Sequence, residues 1–455
     1  MTNTPAGIGD KTGTSKNPPR IGGDKTHSNL LSYFTQWNYT YDNRYNVSAS
    51  LRYDESSKFV KSNKGALFWS LGAAWDIANE KFAEDYQFLN QLKLRTSYGT
   101  TGNQDGIADF SAFDGYNKVS YNGKPGYTNN ELGNPDLKWE TSAQFDLGLD
   151  FRMFSNRING TIDFYHKSTK DLLMWKKISQ LSGSTQIQTN AGSILNQGVE
   201  FAMNGVPVRT KDFEWSVSAN ITYNKNKITD LGTWANKDNK FIDGDVLYEI
   251  GKSLGTWCMV EWAGVNPKTG EVWFYDQKGG KTEDISAAPA VDKFKSSEVP
   301  WFGGFNTSLS YKGLSLTAQF TYALNYYIMN SSRWYLDNHN FNGNKPAYML
   351  DMWKKPDDIT NVPRFDAKNN PSPWASQFLE DASFLKFKML RLAYTPSRIL
   401  MNKMKFVKSM TVYLQGEYLA TFTSYRGQDP EVTGDTDYMT YPLPINVTFG
   451  LNLNF

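Results

Sequence analysis

The chain has 455 residues, with 48 lysines and arginines against 46 aspartates and glutamates, and 15% of its residues are aromatic. A formal net charge of +2 argues against nucleic acid as the main partner, and the single cysteine, Cys258, excludes a disulfide within the chain. No apolar run reaches the about 18 residues of a membrane-spanning helix. The aromatic content is nevertheless typical of membrane β-barrels, in which aromatic rings lie at both membrane–water interfaces.

Residues 1–29 form the first segment and show no alternation of apolar and polar residues. The stretch is rich in glycine, proline, threonine and lysine, which predicts a loop-like or disordered lead-in. It also lacks the apolar core of about 7–15 residues that a signal peptide needs. We therefore expect the folded part of the chain to begin near residue 30.

From residue 30 onward, the chain repeats segments in which every second residue is apolar or aromatic. Residues 33–41 and 45–53 follow this pattern on either side of Asp42 and Asn43, which predicts a β-hairpin. Comparable segments follow at 69–77, 92–98, 139–151, 158–164, 199–203, 213–223, 305–311, 314–322, 390–394 and 410–418. With one strand near 257–263 and a final strand, the pattern predicts about 14 strands.

The connections between these segments are of two kinds. Tight turns are predicted at Asp42-Asn43, Ser155-Asn156, Lys211-Asp212 and Lys312-Gly313, and long loops at 102–138, 169–195, 228–253 and 326–380. Structureless loops longer than about 15 residues are uncommon in compact soluble domains. Short turns on one side and long extracellular loops on the other are typical of outer-membrane barrels.

The strictest alternation lies in the last fourteen residues, 442–455, which read PLPINVTFGLNLNF. One face of such a strand is wholly apolar and the other carries no large apolar side chain. An edge strand of a soluble sandwich is the alternative, but the length suits a tilted strand that crosses a bilayer. Barrels of the outer membrane commonly end in an aromatic-terminated strand that the barrel-assembly machinery reads. We therefore expect a membrane-insertion signal at Leu451, Leu453 and Phe455.

These patterns predict an all-β protein, a transmembrane antiparallel β-barrel formed by residues 30–455 in the cell outer membrane. Its outward residues would contact outer-membrane lipid. Charged groups at mid-strand would lie on the other face, because an Arg or Lys at the lipid midplane costs about 2–4 kcal/mol. We expect a wet lumen, or a plug, to contact Arg52, Lys93, Arg95, Glu140, Gln144, Asp146, Asp150 and Arg152.

Eight segments resemble, in order, the carboxyl-terminal barrel of SusC/RagA-like TonB-dependent transporters. They are LRYDESSKF (51–59), LKLRTSYGTTGNQ (92–104), LGNPDLKWET (132–141), TKDLL (169–173), NAGSILNQGVE (190–200), AGVNPKTGE (263–271), DASFLKFKMLRLAYT (381–395) and YRGQDPEV (425–432). The resemblance runs from about residue 28 to the end. The third, fifth and eighth segments are specific in combination, whereas any one alone would be weak.

The resemblance implies import of oligosaccharides or peptides across the outer membrane of Bacteroidota. It also implies a SusD-like surface lipoprotein as a partner, and energy from TonB through an amino-terminal plug domain inside a 22-stranded barrel. The plug is absent from this sequence, so we expect the carboxyl-terminal part of such a barrel. Either the sequence starts inside a longer precursor, or the reading frame is truncated. The barrel would be open, or smaller and closed against a strand near 30–41.

The loop 326–380 is the best candidate for a ligand site. Flat rings beside amide and carboxylate groups suit stacking on sugar faces and hydrogen bonding to hydroxyls. The candidates are Trp334, Tyr335, Trp353, Trp374, Asp337 and Asn338. The alternative is that these rings pack the loop and its lipoprotein partner, because interface rings and ligand rings look alike in sequence.

No catalytic residues, cofactor site or metal site are predicted. The three histidines, His27, His166 and His339, are far apart in sequence, and no nucleophile–base pair can be assembled from them. The acidic residues within 276–294 are too scattered for a cation site. The sequence therefore favours a transporter, and a passive porin-like barrel or an outer-membrane barrel enzyme is the alternative.

Overall fold

The computed structural model describes residues 26–60, 63–122, 124–232, 238–339, 341, 343–368, 375–397, 401 and 406–455. Most of the predicted lead-in, 1–29, therefore lies outside the described residues. One antiparallel sheet of 13 strands dominates. Its strands are β1 Leu30–Tyr41, β2 Tyr45–Ser56, β3 Gly65–Asp76, β4 Leu89–Asn103, β5 Glu140–Met153, β6 Ile158–Lys170, β7 Ser193–Arg209, β8 Phe213–Asp230, β9 Trp301–Tyr311, β10 Leu314–Leu324, β11 Phe384–Tyr394, β12 Ser409–Thr423 and β13 Asn446–Asn454.

Each strand of this sheet, which we call the wall, pairs with its neighbours in the chain, so the strand order is the sequence order. β1 and β13 stand at the two ends of that order, so the described strands do not form the smaller closed barrel considered above. The predicted tight turns join β1 to β2, β5 to β6, β7 to β8 and β9 to β10. The transmembrane barrel fold predicted from alternation is confirmed.

The wall is apolar on its outward face. In β13, the residues of the apolar parity are exposed, with Val447 at 71% and Phe449 at 73% of their maximal accessibility. Leu147 in the middle of β5 is 43% exposed. Lipid, not water, is the solvent that suits such a face. The strand itself starts at Asn446, so residues 442–445 lie outside it although they share the alternation.

The long connections lie at the edge of the wall opposite the tight turns. They are 57–64, 104–139, 171–192, 231–300, 325–383 and 424–445. We call this part the rim. Among the described residues, it contains one α-helix, α1, Ser331–Asp337, and short strands. These are Gly115–Tyr121, Lys124–Glu131, Leu173–Lys177, Gln186–Asn190, Lys240–Asp243, Val246–Glu249, Thr256–Trp257, Met259–Val260, Trp262–Val265, Val272–Tyr275, Lys281–Thr282, Ala290–Val291, Tyr327–Asn330, Leu379–Asp381 and Thr436–Asp437.

The prediction of a wall strand near 257–263 is wrong, which explains why the sheet has 13 strands. Trp257, Cys258 and Met259 are 2%, 7% and 1% exposed, so successive residues are buried instead of alternating. Trp257 and Met259 pack in a rim core with Phe378 and Leu379. The connection predicted to end at residue 253 therefore runs on to residue 300.

No helix in the described part of the chain is both long enough and apolar enough to span a bilayer.

Candidate functional site

Helix α1 lies in the 325–383 connection and is held by an ion-pair network. Asn330 caps it, with a side chain that accepts a hydrogen bond from the Arg333 backbone N–H at 2.9 Å. Arg333 Nη1 donates to Glu380 Oε1 at 2.7 Å, and its Nε lies 3.5 Å from Asp337 Oδ2. Arg426 Nη2, from the 424–445 connection, lies 2.9 Å from the same Glu380 oxygen. The network therefore fixes α1 to two connections at once.

Four of the predicted ligand residues lie on α1 or directly after it. Tyr335 is 42% exposed, and its ring meets the Trp334 ring edge-on with centroids 4.8 Å apart. Trp334 packs against the rim core around Trp257 and Phe378. The exposed ring of Tyr335 is thus the aromatic surface that this helix offers to solvent.

The polar residues of the predicted site have internal partners. Asp337 is 4% exposed and accepts a hydrogen bond from the Tyr348 hydroxyl. Burial raises the pKa of Asp337, and the Tyr348 hydrogen bond and the Arg333 charge oppose that rise. The main-chain carbonyl of Asn338 accepts a hydrogen bond from Lys345 Nζ. Asp337 therefore holds the helix in place rather than facing outward.

Trp353 is not held by α1 but contacts a different part of the rim. Trp374 lies outside the described residues. The Trp353 indole N–H donates to the Pro267 carbonyl at 2.8 Å. Its ring also covers Gly270, where a Cβ would come within 2.5 Å of the ring and where φ is +73°. Trp353 thus packs on the hairpin formed by Trp262–Val265 and Val272–Tyr275, which includes the AGVNPKTGE segment.

A second network, which the sequence analysis did not find, anchors the 424–445 connection to the wall. Lys386 Nζ lies 2.6 Å from Asp429 Oδ1 and 2.7 Å from Glu431 Oε2, and its side chain is only 5% exposed. Lys388 reaches the same Glu431 oxygen at 3.1 Å. The Lys386 and Lys388 charges lower the pKa of Glu431 against the effect of burial. These residues lie in two of the segments that carried the family resemblance, 381–395 and 425–432.

The inward face of the wall carries paired charges, as expected from the alternation. Arg95 Nε donates to Asp150 Oδ1 at 3.0 Å and its Nη2 donates to Asp163, so one guanidinium joins β4, β5 and β6. Gly148 lies between these groups in the register. A Cβ there would come within 2.4 Å of Asp163 Oδ1 and 2.6 Å of Arg95 Cζ. A residue without a side chain is therefore required for this contact.

Within the described ranges, no group of three or more histidine, cysteine, aspartate or glutamate side chains could hold a metal ion. His339 contacts the Phe365 ring at 5.9 Å, and His166 lies in β6.

Comparison with protein families gives a match over residues 2–352 to the model described as TonB dependent receptor-like, beta-barrel. TonB-dependent receptor P3 of Formosa agariphila is 32% identical over 470 residues, which cover 94% of this chain and 45% of that protein. TonB-dependent receptor SusC of Bacteroides thetaiotaomicron is 29% identical over 459 residues, which cover 94% of this chain and 44% of that protein. The chain thus spans about half the length of the curated relatives it matches.

Among solved structures, the chain is similar to the RagAB peptide transporter, with a TM-score of 0.86 and 33% sequence identity. The match covers 94% of this chain and 48% of that one. The RagAB peptide importer in the open-open state matches with a TM-score of 0.84 and 31% identity.

Proposed function

This chain belongs to the TonB dependent receptor-like β-barrel family of the outer membrane, and on that premise we propose that it forms the barrel portion of a TonB-linked importer of oligosaccharides or peptides. The observation that carries the proposal is the agreement with the RagAB peptide transporter across 94% of the chain. The agreement includes the rim connections as well as the wall.

The partners follow from the same premise. A SusD-like surface lipoprotein would cover the rim, and TonB would act through a plug domain. The barrel-assembly machinery would insert the wall into outer-membrane lipid, and the exposed apolar side chains of β13, among them Leu451 and Leu453, would present the insertion signal together with Phe455. The long connections would be extracellular, because the capture of nutrients takes place on that side.

For the ligand, we propose Tyr335 as the residue that meets substrate, with Trp334 behind it as support. Tyr335 is exposed while its ring is held against Trp334, and a rigid amphipathic ring suits stacking on a sugar or a peptide side chain. Asn338, Trp353 and Trp374 remain predicted members of this site. Asp337 contributes by positioning α1 through Arg333.

The test is nutrient uptake by cells that carry the complete gene. We expect deletion of the gene, or of tonB, to abolish uptake of one labelled oligosaccharide or peptide mixture. Uptake that persists without tonB and in the presence of a protonophore would contradict the importer and favour a passive barrel.

The residue-level test compares variants in the same cells. Tyr335→Ala should reduce uptake several-fold and Tyr335→Phe should largely retain it, because the ring supplies the contact. Ile359→Ala is the matched control, since Ile359 is also in the 325–383 connection and is 98% exposed. Equal uptake by all three variants would remove Tyr335 from the site.

A further inference from the structure

We propose that the connection between β3 and β4, residues 77–88, is an anchor that lies in the phospholipid leaflet facing the periplasm. It joins these strands on the side of the tight turns, opposite the rim. With the orientation proposed above, that side is periplasmic. The anchor depends on the outward face of the wall and not on which substrate is imported.

The β3–β4 connection is long for its side of the wall. The turns 42–44 and 312–313 have three and two residues, whereas this connection has twelve. Two short 3-10 helices, Ile77–Asn79 and Lys81–Ala83, form part of it. Antiparallel neighbours can be joined by a two-residue hairpin, so joining β3 to β4 accounts for only a small part of its length.

The connection folds back onto the outward side of the wall. The Glu80 carboxylate accepts hydrogen bonds from the Tyr45 hydroxyl at 2.5 Å and from the Trp75 indole N–H at 3.0 Å. Tyr45 and Trp75 lie opposite each other in the register of β2 and β3. They share the parity of Val47 and Leu71, whose side chains are 52% and 55% exposed on the outward face. Glu80 is therefore held on the side that faces lipid.

The charge of Glu80 is compensated within the protein. Glu80 is 8% exposed, and Arg44 Nη1 donates to its Oε2 at 2.9 Å. The Asp76 backbone N–H donates to the Arg44 carbonyl at 2.7 Å, and the Asn79 side chain donates to the Asn43 carbonyl at 2.9 Å. A buried carboxylate is tolerated when it is paired and hydrogen-bonded. These contacts, which we call the latch, can thus lie beside lipid and fix the connection.

Beyond the latch, the connection presents large aromatic rings. Phe82, Tyr86 and Phe88 are 61%, 53% and 47% exposed. The Phe82 ring meets the Trp75 ring edge-on, with centroids 6.5 Å apart, and the Phe88 ring stacks on Phe154 at 5.8 Å. Phe154 is 50% exposed and lies in the turn between β5 and β6. Grouped exposed apolar side chains mark an interaction surface, and this one continues the lipid-facing side of the wall.

The charges indicate what kind of contact holds the surface. Within 77–88 the exposed charged residues are Lys81, Glu84 and Asp85, and Asp42 and Arg44 of the neighbouring turn pair with each other. One base beside two acids gives no attraction to anionic headgroups. Aromatic rings favour the headgroup level of a bilayer, which is where a connection at the end of a wall strand lies. Burial of rings in the interface, and not charge, would therefore hold the anchor.

The experiment measures the depth of spin labels in the complete protein, purified and placed in phospholipid liposomes. Each variant carries one nitroxide on a single introduced cysteine, in a background without other cysteines. A label at Phe82→Cys should be more accessible to oxygen, which concentrates in the bilayer, than to a water-soluble nickel complex. Leu147→Cys on the outward face of β5 should behave alike. Leu181→Cys is the control, because Leu181 lies in the rim and is 99% exposed, and its label should favour the nickel complex.

A second variant tests the latch. Glu80→Ala should raise the nickel accessibility of the label at Phe82→Cys several-fold, because Tyr45, Trp75 and Arg44 lose their shared acceptor. The label at Leu147→Cys should keep its preference for oxygen in that variant, which shows that the wall is still folded and inserted. Unchanged accessibility at position 82 in Glu80→Ala would refute the latch.

Three other results would overturn the anchor. A label at position 82 that favours the nickel complex as strongly as the label at position 181 would place the connection in water. Low access to both reagents would place it under protein. A preference for oxygen that requires anionic lipid in the liposomes would show that charge, and not ring burial, holds the connection.

Discussion

The wall and the rim use the same apolar side chains in opposite ways. Phe449 on β13 is 73% exposed, whereas Phe378 in the rim is completely buried. Lipid solvates the first, and water forces the second into a core with Trp257 and Leu379. The wall is thus stabilised by its strand ladder and its lipid, and the rim by the buried cores and ion pairs of an ordinary soluble domain. The two regions should therefore respond differently to substitution.

The largest expected effect is on the rim. Lys386→Met should destabilise the 424–445 connection by about 3–5 kcal/mol, because it leaves the largely buried Asp429 carboxylate without its counter-charge. Hydrogen exchange should show loss of protection there, with β13 still protected. Lys388→Met is the control: the Lys388 side chain is 22% exposed, and its loss should cost under about 1 kcal/mol. Equal effects of the two substitutions would show that burial is not what makes Lys386 important.

The next effect concerns the wall. Leu147→Arg should destabilise the folded barrel by about 2–4 kcal/mol, because it places a charge on the lipid face. The measurement is the free energy of unfolding in lipid bilayers. Gln144→Arg, in the same strand but on the inward face, should change it little. A penalty of the same size for both positions would refute the assignment of the two faces.

A smaller effect should follow from one hydrogen bond within the rim. The Tyr425 hydroxyl donates to Asp437 Oδ2 at 2.8 Å, and Asp437 is 1% exposed. Tyr425→Phe should cost about 1–3 kcal/mol, since a buried carboxylate loses a donor. Exchange rates of the amides around Thr436–Asp437 would report it. Tyr438, which is 75% exposed, is the control position, and Tyr438→Phe should leave those rates unchanged.

The smallest expected effect is a pH dependence of stability where two rim connections, 231–300 and 424–445, meet. Burial, with a contribution from Asp435, raises the pKa of Asp245 to about 6. An acid whose pKa is raised in the folded state contributes stability that is fully present below its ordinary value of 3.8 and is lost as pH rises through about 6. Residues 240–260 should therefore exchange more slowly at pH 5 than at pH 8, after correction for intrinsic rates. Asp245→Asn should abolish that difference, and a difference that survives in this variant would assign it to another group.

The same contrast explains which features could be predicted. Alternation identified the wall strands because each has one face toward lipid and one toward the lumen, so every second residue is constrained. The tight turns followed because a hairpin requires few residues. The prediction of a wall strand at 257–263 is wrong because a short apolar run is compatible both with a strand and with a buried loop core.

The candidate site was predictable only in part. Aromatic crowding drew attention to the 325–383 connection, in which α1 presents Tyr335. It did not separate Tyr335 from Trp353, whose indole is bound by the Pro267 carbonyl. It also missed the contact of Lys386 with Asp429 and Glu431, which are 43 and 45 residues away in sequence. Nothing in a local pattern reports a pairing over that separation.

By itself, the sequence determined the class of the fold, the two faces of the wall and the family, because these depend on periodicity and on ordered motifs. Only the tertiary structure decided which polar groups are paired and which are not. Asp337 forms an ion pair with Arg333 and accepts a hydrogen bond from the Tyr348 hydroxyl, whereas Gln104 Oε1 is buried without a partner among the described residues. The reason is physical: pairing depends on distances between side chains from separate connections, and only folding of the rim brings those connections together.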